Sequence, residues 1–152
     1  MKTITKIVLL FFLYNCGYTT VYNDQKSQDI FISITDAQGD SEINNLIKSQ
    51  LSIISNSKSL NVFYINFNSE YEKVIISKNS AGIATDYKLK ADFEFSINKN
   101  GTNKKIKLSE NFNIKNESEN FEQTNYERSI KRNFAISVKN RLIPYLINFN
   151  DS

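Results

Sequence analysis

Cysteine is the one strong nucleophile in this chain, and it occurs once, at Cys16, just past the apolar run "IVLLFFLY" of residues 7–14. Histidine is absent. That excludes Ser-His-Asp and Cys-His catalysis and every His-ligated metal site. A single thiol can form neither an intramolecular disulfide nor a thiolate zinc cage. Asp and Glu remain available for acid–base work, but they are scattered among lysines and no pair stands out. No metal, no cofactor and no catalytic group is implied. The other concentrated chemistry is basic. Lys99, Lys104, Lys105 and Lys107 flank Asn100-Gly101, and Lys88 and Lys90 precede them. Ammonium groups at that density could contact phosphate. Asp92 and Glu94 lie beside them, and the plain alternative is a solvated, lysine-rich surface.

The segment holding Cys16 has the parts of an export signal. Lys2 and Lys6 form a small positive leader. The apolar run is far shorter than the roughly 20 residues that span a bilayer, and its length and flanks fit a secretory signal. Cys16 sits where a lipoprotein signal places its acceptor thiol. Leu13 suits the cleavage box, whereas Tyr14 and Asn15 are larger than the residues usual there. An unpaired thiol in an oxidising periplasm is open to mispairing, and acylation removes that hazard. The expected division is a signal peptide at 1–15, a lipidated tether at 16–27 and one domain at 28–150. Losing residues 1–15 removes two lysines and no acid, so the net charge falls from +3 to +1. Composition makes no case for nucleic-acid binding.

The 152 residues suffice for one domain with a two-layer core. "DIFISIT", 29–35, alternates through Ile30, Ile32 and Ile34, which predicts a strand. "SEINNLIKSQLSIIS", 41–55, changes to helical spacing through Ile43, Leu46, Ile47, Leu51 and Ile54. Asp40 or Ser41 can cap it. "LNVFYINFN", 60–68, returns to strand period, and "YEKVIIS", 71–77, either extends it or forms a neighbour. "DYKLKADFEFSI", 86–97, is the clearest strand. Tyr87, Leu89, Ala91, Phe93, Phe95 and Ile97 face one way, and charged residues face the other. Asn100-Gly101 predicts a hairpin turn into "KIKLSENFNIK", 105–115. Phe93, Phe95 and Phe112 then read either as core or as a lipid pocket. A closing helix is predicted from the capping-box spacing of Thr124 and Glu127, with the spine Ile130, Phe134, Val138, Leu142 and Leu146. Pro144 should end or kink it near Ile143. The order β-α-β-β-β-α predicts an α+β fold: a two-layer α/β sandwich whose mostly antiparallel four-stranded sheet carries both helices on one face.

Several stretches carry a family likeness. "CGYTTVY", "LNVFYINF", "AGIATDYKLKADFEFSI" and "ERSIKRNFAISVKNRL", in this order, resemble the lipopolysaccharide-assembly lipoprotein family, LptE, and its alphaproteobacterial members in particular. The resemblance implies a non-enzymatic lipoprotein on the periplasmic face of a Gram-negative outer membrane, anchored through Cys16. It would plug the β-barrel of the assembly protein LptD and assist delivery of lipopolysaccharide to the outer leaflet. Lys99, Lys104, Lys105 and Lys107 then become candidate contacts to lipopolysaccharide phosphates. The alternative is an auxiliary lipoprotein of an ABC-type lipid or solute transporter. Mass spectrometry of the mature N-terminus tests the anchor. The expected terminus is Cys16 carrying diacylglycerol, and an intact Met1 or a bare Cys16 thiol would defeat the reading.

Overall fold

The computed structural model describes residues 29–117 and 119–149. The expected export signal and tether, with Cys16, lie outside these residues. The elements are β1 (Phe31–Gly39), α1 (Ser41–Ser52), β2 (Val62–Lys78), β3 (Ala84–Lys99), β4 (Thr102–Lys115) and α2 (Asn120–Ile147). They form one sheet in the order β1-β2-β3-β4. β1 and β2 run parallel, joined through α1, and the other neighbours are antiparallel. The expected order and architecture are both present, with a mixed sheet.

Alternation decides which face is covered. The inward set on β3, Leu89, Ala91, Phe93, Phe95 and Ile97, is buried. Ile65 and Phe67 of β2 lie opposite Ile97 and Phe95 in the ladder, and Phe63 is buried on the same face. Ile43, Ile47 and Leu51 of α1 and the spine of α2 cover this face. Phe67 and Phe95 pack at 5.2 Å between ring centroids, and Phe93 and Phe95 at 6.4 Å. Phe93 and Phe95 are therefore core, not a lipid pocket. Phe112 is on the same face but stays 44% exposed.

The β1–α1 corner is tightly determined. Gly39 has φ +93°, and a Cβ there would sit 1.8 Å from the Ser69 carbonyl oxygen. Asp40 then caps α1, its carboxylate accepting from the Ile43 amide at 2.8 Å. Asn44 is buried, donates to the Gln38 carbonyl at 3.0 Å and accepts from the Ser69 hydroxyl at 2.7 Å. These bonds join β1, α1 and β2 at one point.

Three local expectations need correction, and one open alternative is decided. α1 stops at Ser52 rather than running to residue 55. The Ser55 hydroxyl bonds the Ile32 amide at 2.9 Å and the Asn56 amide bonds the Ile30 carbonyl at 2.8 Å, so the chain is drawn onto the edge of β1. Of the two alternatives for residues 71–77 the structure has the extension: they are the upper half of β2. α2 begins a turn before the expected capping box. The Thr124 hydroxyl donates back to the Asn120 carbonyl at 2.9 Å inside the helix, and Glu127 pairs with Lys73. Pro144 does not end α2, which continues to Ile147. Proline removes one helical hydrogen bond, while burial of Leu146 and Phe149 beyond it holds the chain to the core. Phe149 meets Phe63 edge-on at 5.6 Å.

The corner yields two expected outcomes in urea unfolding. Gly39→Ala should cost about 3 kcal/mol, because the left-handed backbone and the carbonyl clash act together. Ser69→Ala should cost about 1–3 kcal/mol by leaving the buried Asn44 amide oxygen unpaired. Losses within error of zero would show that this corner does not constrain the fold.

Candidate functional site

Because both helices pack on one face, the other face of the sheet is open. Cross-strand register sets its rows. Asp36, Asn66, Ser96 and Lys105 form one, and Gln38, Asn68, Glu94 and Lys107 the next. Above them come Glu70, Asp92 and Ser109, then Glu72, Lys90 and Asn111, then Val74, Lys88 and Asn113. Glu70, Glu72, Asp92 and Glu94 are neighbours, with Lys88 and Lys90 to one side and Lys105 and Lys107 to the other, so the surface is hydrophilic and mixed in sign. A shallow hollow of about 240 Å³ lies at the β1 side of this face, lined by Asp36, Gln38, Asn66, Phe67, Asn68, Glu94 and Ser96.

The register separates the hairpin lysines. Lys105 and Lys107 lie on the open face, opposite Ser96 and Glu94. Lys99 and Lys104 belong to the covered face. The Lys99 ammonium lies 4.7 Å from the Phe63 ring centroid. That of Lys104 donates to the Phe149 carbonyl at 2.7 Å and lies 4.8 Å from the Phe149 ring centroid. The four thus do not form one patch. Lys107 is ion-paired with Glu94. That hydrogen bond holds the Glu94 carboxyl below its usual range and raises the Lys107 ammonium. Both groups are exposed, so water screens the pair. Lys105 and Lys107 join Lys88 and Lys90 on the open face.

A second polar cluster, which sequence reasoning missed, seats α2 over β2 and α1. The Lys131 ammonium lies 2.7 Å from the Glu42 carboxylate and 3.9 Å from that of Asp40. Arg128 reaches Glu42 at 3.4 Å. Lys131 also stands 4.2 Å over the Tyr71 ring, and Lys73, paired with Glu127, stands 4.2 Å over Tyr87. Burial pushes the Tyr71 phenol above its ordinary value, and the charges of Glu127, Asp40 and Glu42 add to this. The only hint in sequence was the row of bases around the α2 spine, and nothing there indicated acids 86–89 residues away. Among the described residues, no group of three or more His, Cys, Asp or Glu could hold a metal ion. Among the same residues, no helix is long and apolar enough to cross a membrane.

The cluster predicts a pH dependence. The Lys131 hydrogen bond holds the Glu42 carboxyl below its ordinary 4.5, opposed by desolvation and helped by the Lys131 and Arg128 charges. A depressed carboxyl stabilises the fold above the unfolded-state value and loses that contribution as pH falls through the folded value. The stability difference between wild type and Glu42→Gln should therefore be largest near neutrality and shrink below about pH 4.5. Its size should be under about 1 kcal/mol, because the pair is partly solvated. A difference that grows on acidification would contradict the assignment.

No family model matches the chain, and no curated protein matches it either. Solved structures do. Rare lipoprotein B from Shewanella oneidensis superposes with a TM-score of 0.58 at 14% identity, over 80% of this chain and 98% of that one. A lipoprotein B from Nitrosomonas europaea gives 0.55 at 10% identity, over 86% and 93%. A minor lipoprotein from Acinetobacter baumannii gives 0.53 at 11% identity, over 77% and 92%. The chain has the fold of these bacterial lipoproteins.

Proposed function

We propose that the protein is a non-enzymatic, lipid-anchored bacterial envelope protein. In this reading it serves lipopolysaccharide assembly as the plug of an LptD-type outer-membrane barrel, on the periplasmic side. The observation that carries the reading is the one-sided sheet. A plug must satisfy its own apolar surface and present a hydrophilic exterior to a polar barrel lumen. Here both helices close the apolar face, and rows of Lys, Glu, Asp and Asn occupy the other. The shared fold with bacterial lipoproteins supports the same reading, as does the position of Cys16 behind a short apolar leader. The job asked of the protein is contact over area, and charges of both signs supply many weak, specific contacts without a strong net field.

Affinity isolation of the tagged full chain from membranes is the deciding experiment. A large outer-membrane barrel should co-purify in stoichiometric amount. Recovery of an inner-membrane ABC transporter instead would favour the auxiliary-lipoprotein role, and recovery of neither would sink the plug. The candidate lysines separate by face in a second measurement. Lys105→Gln with Lys107→Gln should weaken lipopolysaccharide binding several-fold, because charge-assisted phosphate contacts are among the stronger hydrogen bonds. Lys99→Gln should leave binding unchanged. Equal, undiminished affinity in all variants would remove the hairpin lysines from any lipopolysaccharide site.

A further inference from the structure

The polar hollow on the open face owes its lining to one extra residue in β1. Ile34 and Ala37 both pack against the core, although they stand three apart and strict alternation would send them to opposite faces. The bulge between Ile34 and Asp36 resolves the conflict. Thr35 is the residue left out of the pairing, and its hydroxyl donates to the Ile65 carbonyl at 3.3 Å. A bulge re-aims the side chains that follow it. Asp36 and Gln38 therefore join the open face, level with Asn66 and Asn68. Without the bulge they would point at the helices. The Gln38 amide donates to the Asp36 carboxylate at 2.8 Å, and the Ala37 amide donates to its other oxygen at 2.8 Å. Both side chains are thus held in place.

The hydrogen-bonding capacity around the hollow is largely unused. Asn66, Asn68 and Ser96 line it, and among the described residues their side chains make no hydrogen bond. Each Asn amide offers donors and an acceptor, and the Ser hydroxyl offers both. Two residues along β2 from Asn66, about 7 Å away, Tyr64 projects from the same face and is 50% exposed. Among the described residues its ring has neither an aromatic nor a cationic neighbour. The charges of the hollow are balanced. Glu94 is ion-paired with Lys107, and Asp36 shares its row with Lys105.

We infer that this hollow binds a neutral sugar, with one hexose unit seated against Asn66, Asn68 and Ser96 and the next unit on the Tyr64 ring. The side chains select this class of ligand. An apolar molecule would leave the free amides without partners. A phosphate or other anion would meet Asp36 and Glu94. A cation would find both carboxylates engaged, one by Gln38 and the Ala37 amide and the other by Lys107. A sugar hydroxyl both donates and accepts, as the free side chains do. The weakly positive C–H face of a pyranose suits the negative face of an aromatic ring. The hollow, at about 240 Å³, is smaller than a drug-sized pocket, so it takes a single unit. Its side chains stand on paired strands, which keeps the cost of ordering low. The contacts are few, so the dissociation constant should be on the order of millimolar. This binding needs neither a barrel nor a lipid anchor and does not rest on the plug reading.

Amide-detected NMR of the full chain in lauryldimethylamine oxide, a detergent without sugar, tests this. The probes are the neutral trisaccharides maltotriose, cellotriose and triacetylchitotriose. At least one should shift the backbone amides of Tyr64, Asn66, Asn68 and Ser96 saturably and leave that of Ile83 unmoved. Tyr64→Ala should weaken this binding about tenfold, and the isosteric Asn66→Asp about fivefold. Asn113→Ala lies on the same face but in a distant row and should leave binding unchanged. The spectra themselves report whether each variant is folded. Failure of every probe to shift these amides would overturn the inference. So would calcium or inorganic phosphate shifting them where the sugars do not, or sugar binding indifferent to both Tyr64→Ala and Asn66→Asp.

Discussion

The contact on which the rest of the structure depends is the close approach of Gly39 to the Ser69 carbonyl. A side chain cannot fit there, so the chain can turn out of β1 at this residue and no later. The turn launches α1 with Asp40 as its cap, and it points Asn44 back at Gln38 and Ser69. Parallel register, helix start and crossover are settled together. Because α1 must then lie across the inward face, α2 has only the remaining strip to cover. The network of Lys131 with Glu42 and Asp40 ties the two helices at that seam. The same turn ends β1 while β2 has nine residues still to run. One glycine therefore fixes both the closed part of the sheet and its bare upper edge.

Closing one face completely leaves the other free to be polar. Each β3 residue on the open side has a cross-strand partner on both flanks, so charge on one strand constrains charge on the next. Glu94 opposite Lys107 and Glu72 opposite Lys90 follow this pattern, while Glu70 opposite Asp92 departs from it. Solvent screens such pairs and each contributes little to stability. Their value lies in matching a polar surroundings without an apolar patch. The lysines at the β3–β4 turn illustrate how alternation overrides composition. Neighbours in sequence, Lys104 and Lys105, fall on opposite faces, and only the second is available to the open side.

The alternating strands and the helical stripes made the fold legible, because burial of one face imposes a period on the residues themselves. Leu89 to Ile97 and the spine from Ile130 to Leu146 needed no structure to be placed. The failures share a cause: interactions distant in sequence replaced the local rule. Residues 71–77 could be read as an extension of β2 or as a neighbour; the serine at core position 69 is there for Asn44 and Asp40. Thr124 and Glu127 have the spacing of a cap, but Glu127 is used by Lys73. Pro144 would stop an isolated helix, yet Leu146 and Phe149 are buried past it. For the site, residue type was legible and grouping was not. Lysines could be counted near the turn, but the faces they occupy depend on where Asn100-Gly101 sets the register. With Asn100 at φ 50° and Gly101 at φ 84°, the turn has two central residues of left-handed backbone, and Lys99 falls opposite Thr102.

The two ends of the sheet consequently have different physical characters. At the lower end Phe149 caps Phe63 and the ammonium groups of Lys99 and Lys104 rest on aromatic rings, while Leu60 stays exposed. At the upper end β2 and β3 extend past β1, and Val74, Ile75, Ile76 and Ile83 remain exposed. The difference follows from lengths alone. A nine-residue first strand cannot accompany a seventeen-residue second one, and α1 departs at the point where cover would be needed. The excess length of the central hairpin still serves the core at its base, where Leu89 and Ala91 are buried opposite Lys73 and Tyr71, and Lys131 of α2 stands over the Tyr71 ring.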